Sequence, residues 1–247
     1  KKNKFTVKEI NEVVKSLKKI TIDSIKKFEN EFSKIKILQK KQSVIEKSKM
    51  YEFDKIYWHI VYCKEFGTLP FAGLARIAFI AYDILNSLYN RNFINEKQKN
   101  LFLGSLKTIS LQIDDDFNNL SKKKFIEKHG HLRPNTYEIS SLNYSEGYDN
   151  YYGSKKKKNK VKNKKNKFKL SNNQSINISN YLKKHNIDLS TKDLFKFIRK
   201  AIETREYSKY IFTKSIDLVF KNMIKIGKRL DIKRDDISFL EINDFLK

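Results

Sequence analysis

The sequence predicts an all-α protein, a multi-helix domain with a long irregular, lysine-rich loop between helices. Three observations carry that expectation. Two prolines and seven glycines in 247 residues leave few places where a helix must stop. Apolar residues recur three and four positions apart through most of the chain. Helix-opening pairs such as Thr6 with Glu9, Asn95 with Gln98 and Ser190 with Asp193 stand in front of the periodic runs. Strands are not required anywhere.

The first helix is predicted from Thr6, with Ile10, Val13, Val14, Leu17 and Ile20 on one stripe. A second runs from about residue 43 to 65, rich in aromatics (Tyr51, Phe53, Tyr57, Trp58, Tyr62) and closed by a break at Gly67. A third starts near Pro70, which suits a first helical turn, and continues through Asn90. It is apolar nearly all round and reads as the central helix of the core. Asn95 and Gln98 open a helix continuing towards Phe117, and residues 121–128 form a short one. From Gly130 to about Leu170 periodicity fails. It resumes at about Ile176, and Ser190 opens a long helix towards Gly227; residues 235–247 read as short helical pieces. No repeat is present, and residues 1–247 read as a single helical domain with 152–170 as an exposed loop.

Composition narrows the function classes. The chain is 39% apolar, with no stretch read as a membrane span, so a soluble cytoplasmic protein is expected. A single cysteine, Cys63, excludes an intrachain disulfide and suits a reducing compartment. The net charge of +25 invites nucleic acid, because clustered lysines gain affinity for polyanions by releasing counterions. Nine of those lysines lie in residues 155–167, a run with one apolar residue and no face to bury, read as a solvated, mobile loop. The remaining +16 is dispersed through a sequence loaded with Lys, Asn and Ile, which argues against a surface built for a duplex. A basic helical nucleic-acid-binding protein is the alternative reading, and a helical interaction module with no ligand a third.

Candidate chemistry concentrates in three places. The segment Lys128-His129-Gly130-His131-Leu132-Arg133-Pro134-Asn135-Thr136-Tyr137-Glu138 cannot be regular helix, and it crowds together His129, His131, Arg133, Thr136 and Glu138. An arginine fork holds phosphate or carboxylate with two hydrogen bonds, and histidine moves protons near neutral pH. The competing explanation is that these groups cap helix ends and satisfy loop backbone. Arg76 sits inside the apolar third helix, where a buried guanidinium needs either a carboxylate such as Asp83 or an anionic ligand. On the long helix Arg205, Lys209 and Thr213 recur every four residues beside Glu206. No phosphate loop Gly-x-x-x-x-Gly-Lys, no Gly-x-Gly-x-x-Gly, no His-Glu-x-x-His and no paired-cysteine zinc spacing occurs, so no metal site is expected.

At these same places the sequence resembles enzymes related to phosphoenolpyruvate synthase. The matching segments are Gly67-Thr68-Leu69-Pro70-Phe71 with Gly73-Leu74-Ala75-Arg76, then His129-Gly130-His131-Leu132-Arg133-Pro134 through Thr136-Tyr137 to Ile139, then Arg205-Glu206-Tyr207 through Phe212-Thr213. The resemblance covers nearly the whole chain apart from the lysine-rich run, and the L-glutamine kinases of capsular phosphoramidate biosynthesis are the branch it suggests. It implies a kinase that phosphorylates a carrier histidine with ATP, releasing AMP and phosphate, and passes the group to a small acceptor, here the amide nitrogen of L-glutamine. ATP and Mg are then expected in an ATP-grasp domain, and the carrier in a phosphohistidine domain. The sequence has neither an ATP-grasp segment nor a Gly-rich, Thr-containing motif around His59, His129, His131 or His185. The resemblance therefore implies the acceptor-binding middle domain, inactive alone, with the enzyme's own ATP-grasp and phosphohistidine domains as partners and no membrane. Under it Arg76 and Arg133 hold carboxylate or phosphoryl oxygens, Glu206 binds an ammonium, His131 or Glu138 takes the proton, and His129, Thr136, Arg205 and Thr213 complete the substrate contacts.

Overall fold

The computed structural model describes residues 5–155 and 167–245, which contain helices and loops and no strand. The elements are α1 (Val7–Lys47), α2 (Glu52–Cys63), α3 (Leu69–Asn90), α4 (Glu96–Leu103), α5 (Ile109–Asn119), α6 (Lys122–His129), α7 (Tyr148–Tyr152), α8 (Asn172–Lys184), α9 (Thr191–Arg229) and α10 (Arg234–Ile237), with a π-helical turn at Lys64–Thr68 and a 3-10 turn at Ile242–Phe245. The capping pairs do what their chemistry predicts. The Thr6 hydroxyl accepts from the Glu9 amide while Glu9 Oε2 accepts from the Thr6 amide at 2.8 Å. Asn95 with Gln98 and Ser171 with Gln174 close reciprocal boxes on α4 and α8.

Several boundaries differ from expectation. The segment from residue 43 continues α1, which ends at Lys47, and α2 begins only at Glu52. Gly67 does not break the chain: it lies in the π turn that joins α2 to α3, so helix runs without interruption through Glu52–Asn90. By length and composition that run passes for a membrane span, a resemblance core helices share, with 33% of its apolar window buried. The expected single helix from Asn95 to Phe117 is two, α4 and α5, separated by a turn at Gly104-Ser105 and restarted by the Thr108 cap. α3, though apolar nearly all round, is not buried all round, since Leu69, Phe79 and Tyr82 are exposed. The stripe on the first turns of α1 is likewise exposed from Val7 to Ile20.

The chain divides into two compact units, each assembled from three segments. Unit 1 comprises Lys1–Phe32, Ala72–Leu106 and Lys165–Arg205, and unit 2 comprises Ser33–Phe71, Lys107–Lys164 and Glu206–Lys247. In unit 1 a ring cluster of Phe102, Phe168 and Phe195, with centroids 4.9–5.2 Å apart, joins α4 to α9 and to the segment before α8. Unit 2 has one core of Ile56, Ile139, Val219, Met223, Ile226, Ile237 and Phe245 and a second of Phe117, Phe125 and Tyr152, packed by Tyr144, Tyr148 and Tyr151. Four tyrosines from the stretch without helical period, Tyr144, Tyr148, Tyr151 and Tyr152, thus pack into this second core. The predicted exposed loop 152–170 is correspondingly anchored at its ends, by buried Tyr152 and by Phe168; its residues 156–166, with the expectation of mobility, lie outside the described residues.

Candidate functional site

The irregular segment after α6 is organised by α9. His129 ends α6 fully buried, its Nε2 2.8 Å from Asp116 Oδ2 on α5, and Lys128 reaches the same oxygen at 2.6 Å. The Tyr210 hydroxyl donates to the Lys128 carbonyl and lies 3.3 Å from His129 Nδ1. Two residues on, His131 Nε2 donates to the Tyr210 carbonyl at 3.0 Å, and its ring stands edge-on to the Tyr210 ring at 4.6 Å. Between the histidines the chain turns tightly: a Cβ on Gly130 would stand 3.1 Å from Ser145 Cβ, where the Ser145 amide bonds the Gly130 carbonyl.

Arg133 is buried and binds the protein itself. One guanidinium nitrogen donates to the Glu138 and Ser141 carbonyls at 3.3 and 3.1 Å, the other to Asp217 Oδ1 at 2.5 Å, and the group stacks 4.9 Å over Phe220. Asn143 Nδ2 donates to the same Asp217 oxygen at 2.8 Å. Asp217 Oδ2 receives no hydrogen bond of good direction, although the Lys221 ammonium lies 2.9 Å away. The carboxylate therefore ties the beginning and end of the segment to one turn of α9. This is the pairing the sequence argument demanded of a buried arginine, found at Arg133 and not at Arg76.

The remaining predicted residues fall in different settings. Arg76 is exposed on α3 and makes no ion pair with Asp83, because seven residues of helix separate them by about 10 Å along the axis. Arg205 is exposed and stacks 5.4 Å over the Phe79 ring within unit 1. Glu206, half-buried in unit 2, accepts the Ile109 amide at 3.0 Å and so caps α5. Thr213 is buried and bonds back to the Tyr210 carbonyl at 3.1 Å. Glu138 is exposed and accepts from the Ser140 amide and hydroxyl, and Thr136 is half-buried. Among the described residues no group of three or more His, Cys, Asp or Glu could hold a metal ion.

A further convergence was not expected from the sequence. The α9 carbonyls at 210–212 each meet a side chain from another segment: His131 on Tyr210, Gln42 of α1 on Ile211 at 2.9 Å, and Cys63 Sγ on Phe212 at 3.7 Å. Gln42 also donates to Ser215 at 2.7 Å. Gly67 brings its backbone against Phe212, and Phe71 meets that ring edge-on at 5.1 Å. The polar partners Asp116, Gln42, Asn143 and Asp217 escaped the sequence reading; the one available signal was Asp217 as a lone acid in the apolar run Ile216 to Phe220.

Burial sets the protonation of this region. It pushes His131 down to about 4 and lowers His129 as well, against the pull of Asp116. Both histidines are therefore neutral near pH 7, and neither is a ready proton donor. A histidine whose folded pKa is depressed binds fewer protons folded than unfolded, so its contribution to stability is complete above about 6.5 and is lost as pH falls from there towards 4. We expect urea midpoints to fall between pH 6.5 and 5, and His131→Gln, which keeps an N–H for the Tyr210 carbonyl, to flatten that slope. An unchanged slope in the variant would assign the acid limb to other groups. The sequence matches no family model, no curated protein and no solved structure.

Proposed function

We propose that the chain is the acceptor-binding helical region of a carrier-histidine kinase resembling phosphoenolpyruvate synthase, with L-glutamine as the acceptor. The observation that supports this reading is that parts of the three motif segments meet within unit 2: Gly67 and Phe71, and the His129 to Ile139 segment, each pack on α9 between Tyr210 and Asp217. Segments so far apart in sequence that share one small volume constrain one another, as a substrate-shaping scaffold requires. In this reading His131, Arg133 and Thr213, together with His129, position the scaffold. Contact with the acceptor falls to side chains of unit 2 that are not buried: Thr136, Glu138 and Glu206. Glu206 is the group for the acceptor's ammonium, and Glu138 is the base for its amide proton.

Calorimetric titration of the chain with L-glutamine, other amino acids and a short DNA duplex at two salt concentrations tests this. The expected result is saturable, weakly salt-dependent binding of L-glutamine. Glu206→Gln keeps an oxygen for the Ile109 amide and removes the charge, so it should weaken binding about tenfold, the worth of a charged hydrogen bond. Equal affinity in the variant would remove Glu206 from the site. Steeply salt-dependent DNA binding with no amino-acid heat would instead favour the basic nucleic-acid-binding alternative.

A further inference from the structure

The first four turns of α1 belong to unit 1 but take no part in its core: every residue from 5 to 20 is exposed, and half-burial begins at Thr21. This stretch is nonetheless fixed at both ends. Glu9 Oε2 accepts from the Thr6 amide and hydroxyl at 2.8 Å and so closes the helix start. Beyond it Phe28, 4% exposed, stands edge-on to Phe197 of α9 at 6.2 Å. Phe28 lies three turns past Leu17 on the same stripe. The face that enters the core at Phe28 therefore runs on, uncovered, through Ile20, Leu17, Val14, Val13, Ile10 and Val7, each 47–76% exposed. On a helical wheel these six side chains span an arc of about 140°, a continuous apolar face rather than scattered surface residues.

Composition and charge choose what covers that face. The row is entirely Val, Ile and Leu, without the Trp, Tyr or Arg that anchor most protein interfaces. A second copy is poorly suited. The heptad positions Val7, Ile10, Val14 and Leu17 give way to Thr21 and Ser24 after two heptads, short of the roughly three that a coiled coil needs. Pairing would also bring together two chains of net charge +25. Acyl chains, by contrast, ask for apolar area and no matching shape. On the other side of the helix stand Lys8, Lys15 and Lys19, with Lys18 at the border of the apolar row. Residues 1–20 carry seven lysines against Glu9 and Glu12, which complements a negatively charged surface. A helix already formed also binds without the cost of ordering a flexible segment.

We propose that the first four turns of α1 dock on an anionic lipid surface, with the row from Val7 to Ile20 at the acyl boundary and the lysines among the headgroups. The helix lies along the bilayer and does not cross it, since these turns rise only about 21 Å. Such a contact departs from the resemblance, which implies no membrane. It is independent of the acceptor reading, because none of these residues has a role there.

The test mixes the whole chain with vesicles of phosphatidylglycerol and phosphatidylcholine in equal parts, and with phosphatidylcholine alone. Cosedimentation is read together with the emission of a bimane label on Val14→Cys, Cys63 being buried from the reagent. The mixed vesicles should bind saturably and shift the emission to the blue, and phosphatidylcholine alone should bind at least tenfold more weakly. Ile10→Gln/Leu17→Gln keeps the net charge and puts a good helix former at two exposed positions, so circular dichroism should be unchanged. Its affinity for the mixed vesicles should fall at least tenfold. Equal binding by this variant would assign attachment to lysines elsewhere, the 155–167 run included, and overturn the proposal. No binding, or binding without the blue shift, would overturn it too. A lipid-free dimer that the same double variant converts to monomer, with no vesicle binding, would give the face to a second copy instead.

Discussion

Removing the Arg133 guanidinium should destabilise the protein by about 3–5 kcal/mol, the range for breaking one side of a buried ion pair. Arg133→Met leaves Asp217, at 1% exposure, with a charge that only Asn143 and the half-exposed Lys221 can answer. It also strips donors from the Glu138 and Ser141 carbonyls. In a chain of this length the loss should lower the thermal midpoint by about 10 °C. Asp217→Leu should do comparable damage from the other side, stranding the arginine. The double variant Arg133→Met/Asp217→Leu should recover much of the loss, because a buried pair replaced by apolar groups no longer has its desolvation to overcome. If the double variant is as unstable as the two singles added together, the two groups are not coupled and the network described above is wrong in its centre. The same experiment bears on function: if Arg133 positions the segment rather than touching the acceptor, glutamine affinity should track the fraction folded and not fall below it.

The contrast between Arg133 and Arg76 shows how far a sequence could be read. Both are arginines among apolar or structurally constrained neighbours, and the rule that a buried guanidinium needs a partner applies to either. Which of them is buried is a tertiary fact. Arg76 lies on the side of α3 that carries exposed Phe79, and nothing in the local pattern distinguishes that side from the one bearing Leu74, Ile77 and Leu85. Asp217, the partner of Arg133, stands 84 residues away, beyond any periodicity argument. By contrast, what depends on neighbours three or four residues apart was legible: the caps at Thr6, Asn95 and Ser190, the helical period, and the failure of that period after Gly130. The end of α1 was not, because Ser43 to Lys47 continues an amphipathic pattern as well as it could start one. The tyrosines at 144–152 lie in the stretch without helical period, yet their rings pack on Phe117 and Phe125.

Gly67 gives the other large effect, and here the sequence signal was present with the wrong meaning. Glycine between two helical runs reads as a stop, but its φ is not in the left-handed region and the chain passes through it in a π turn. What requires glycine is proximity: a Cβ would stand 2.9 Å from Phe212 Cβ and 3.0 Å from Leu38 Cδ2. The first of these contacts is fixed to backbone, so rotamer changes cannot relieve it, and the segments must separate. Gly67→Ala gains up to about 1 kcal/mol in helix propensity and loses about 1–3 kcal/mol to overpacking, so the expected outcome is net destabilisation. Phe212→Ala empties a site at 2% exposure beside Phe71 and should cost about 3–5 kcal/mol. Combining the two should cost less than their sum: alanine keeps the Cβ that the added methyl meets, but the space left by the Phe212 ring lets the adjoining backbone shift to relieve that contact. Denaturant midpoints for the four proteins measure this coupling directly. Strict additivity would mean that the two residues do not share a volume, and the convergence of motif segments on residues 210–213 would lose its physical basis. Coupling, with glutamine binding reduced in Gly67→Ala under conditions where the variant remains folded, would tie that close approach to the acceptor.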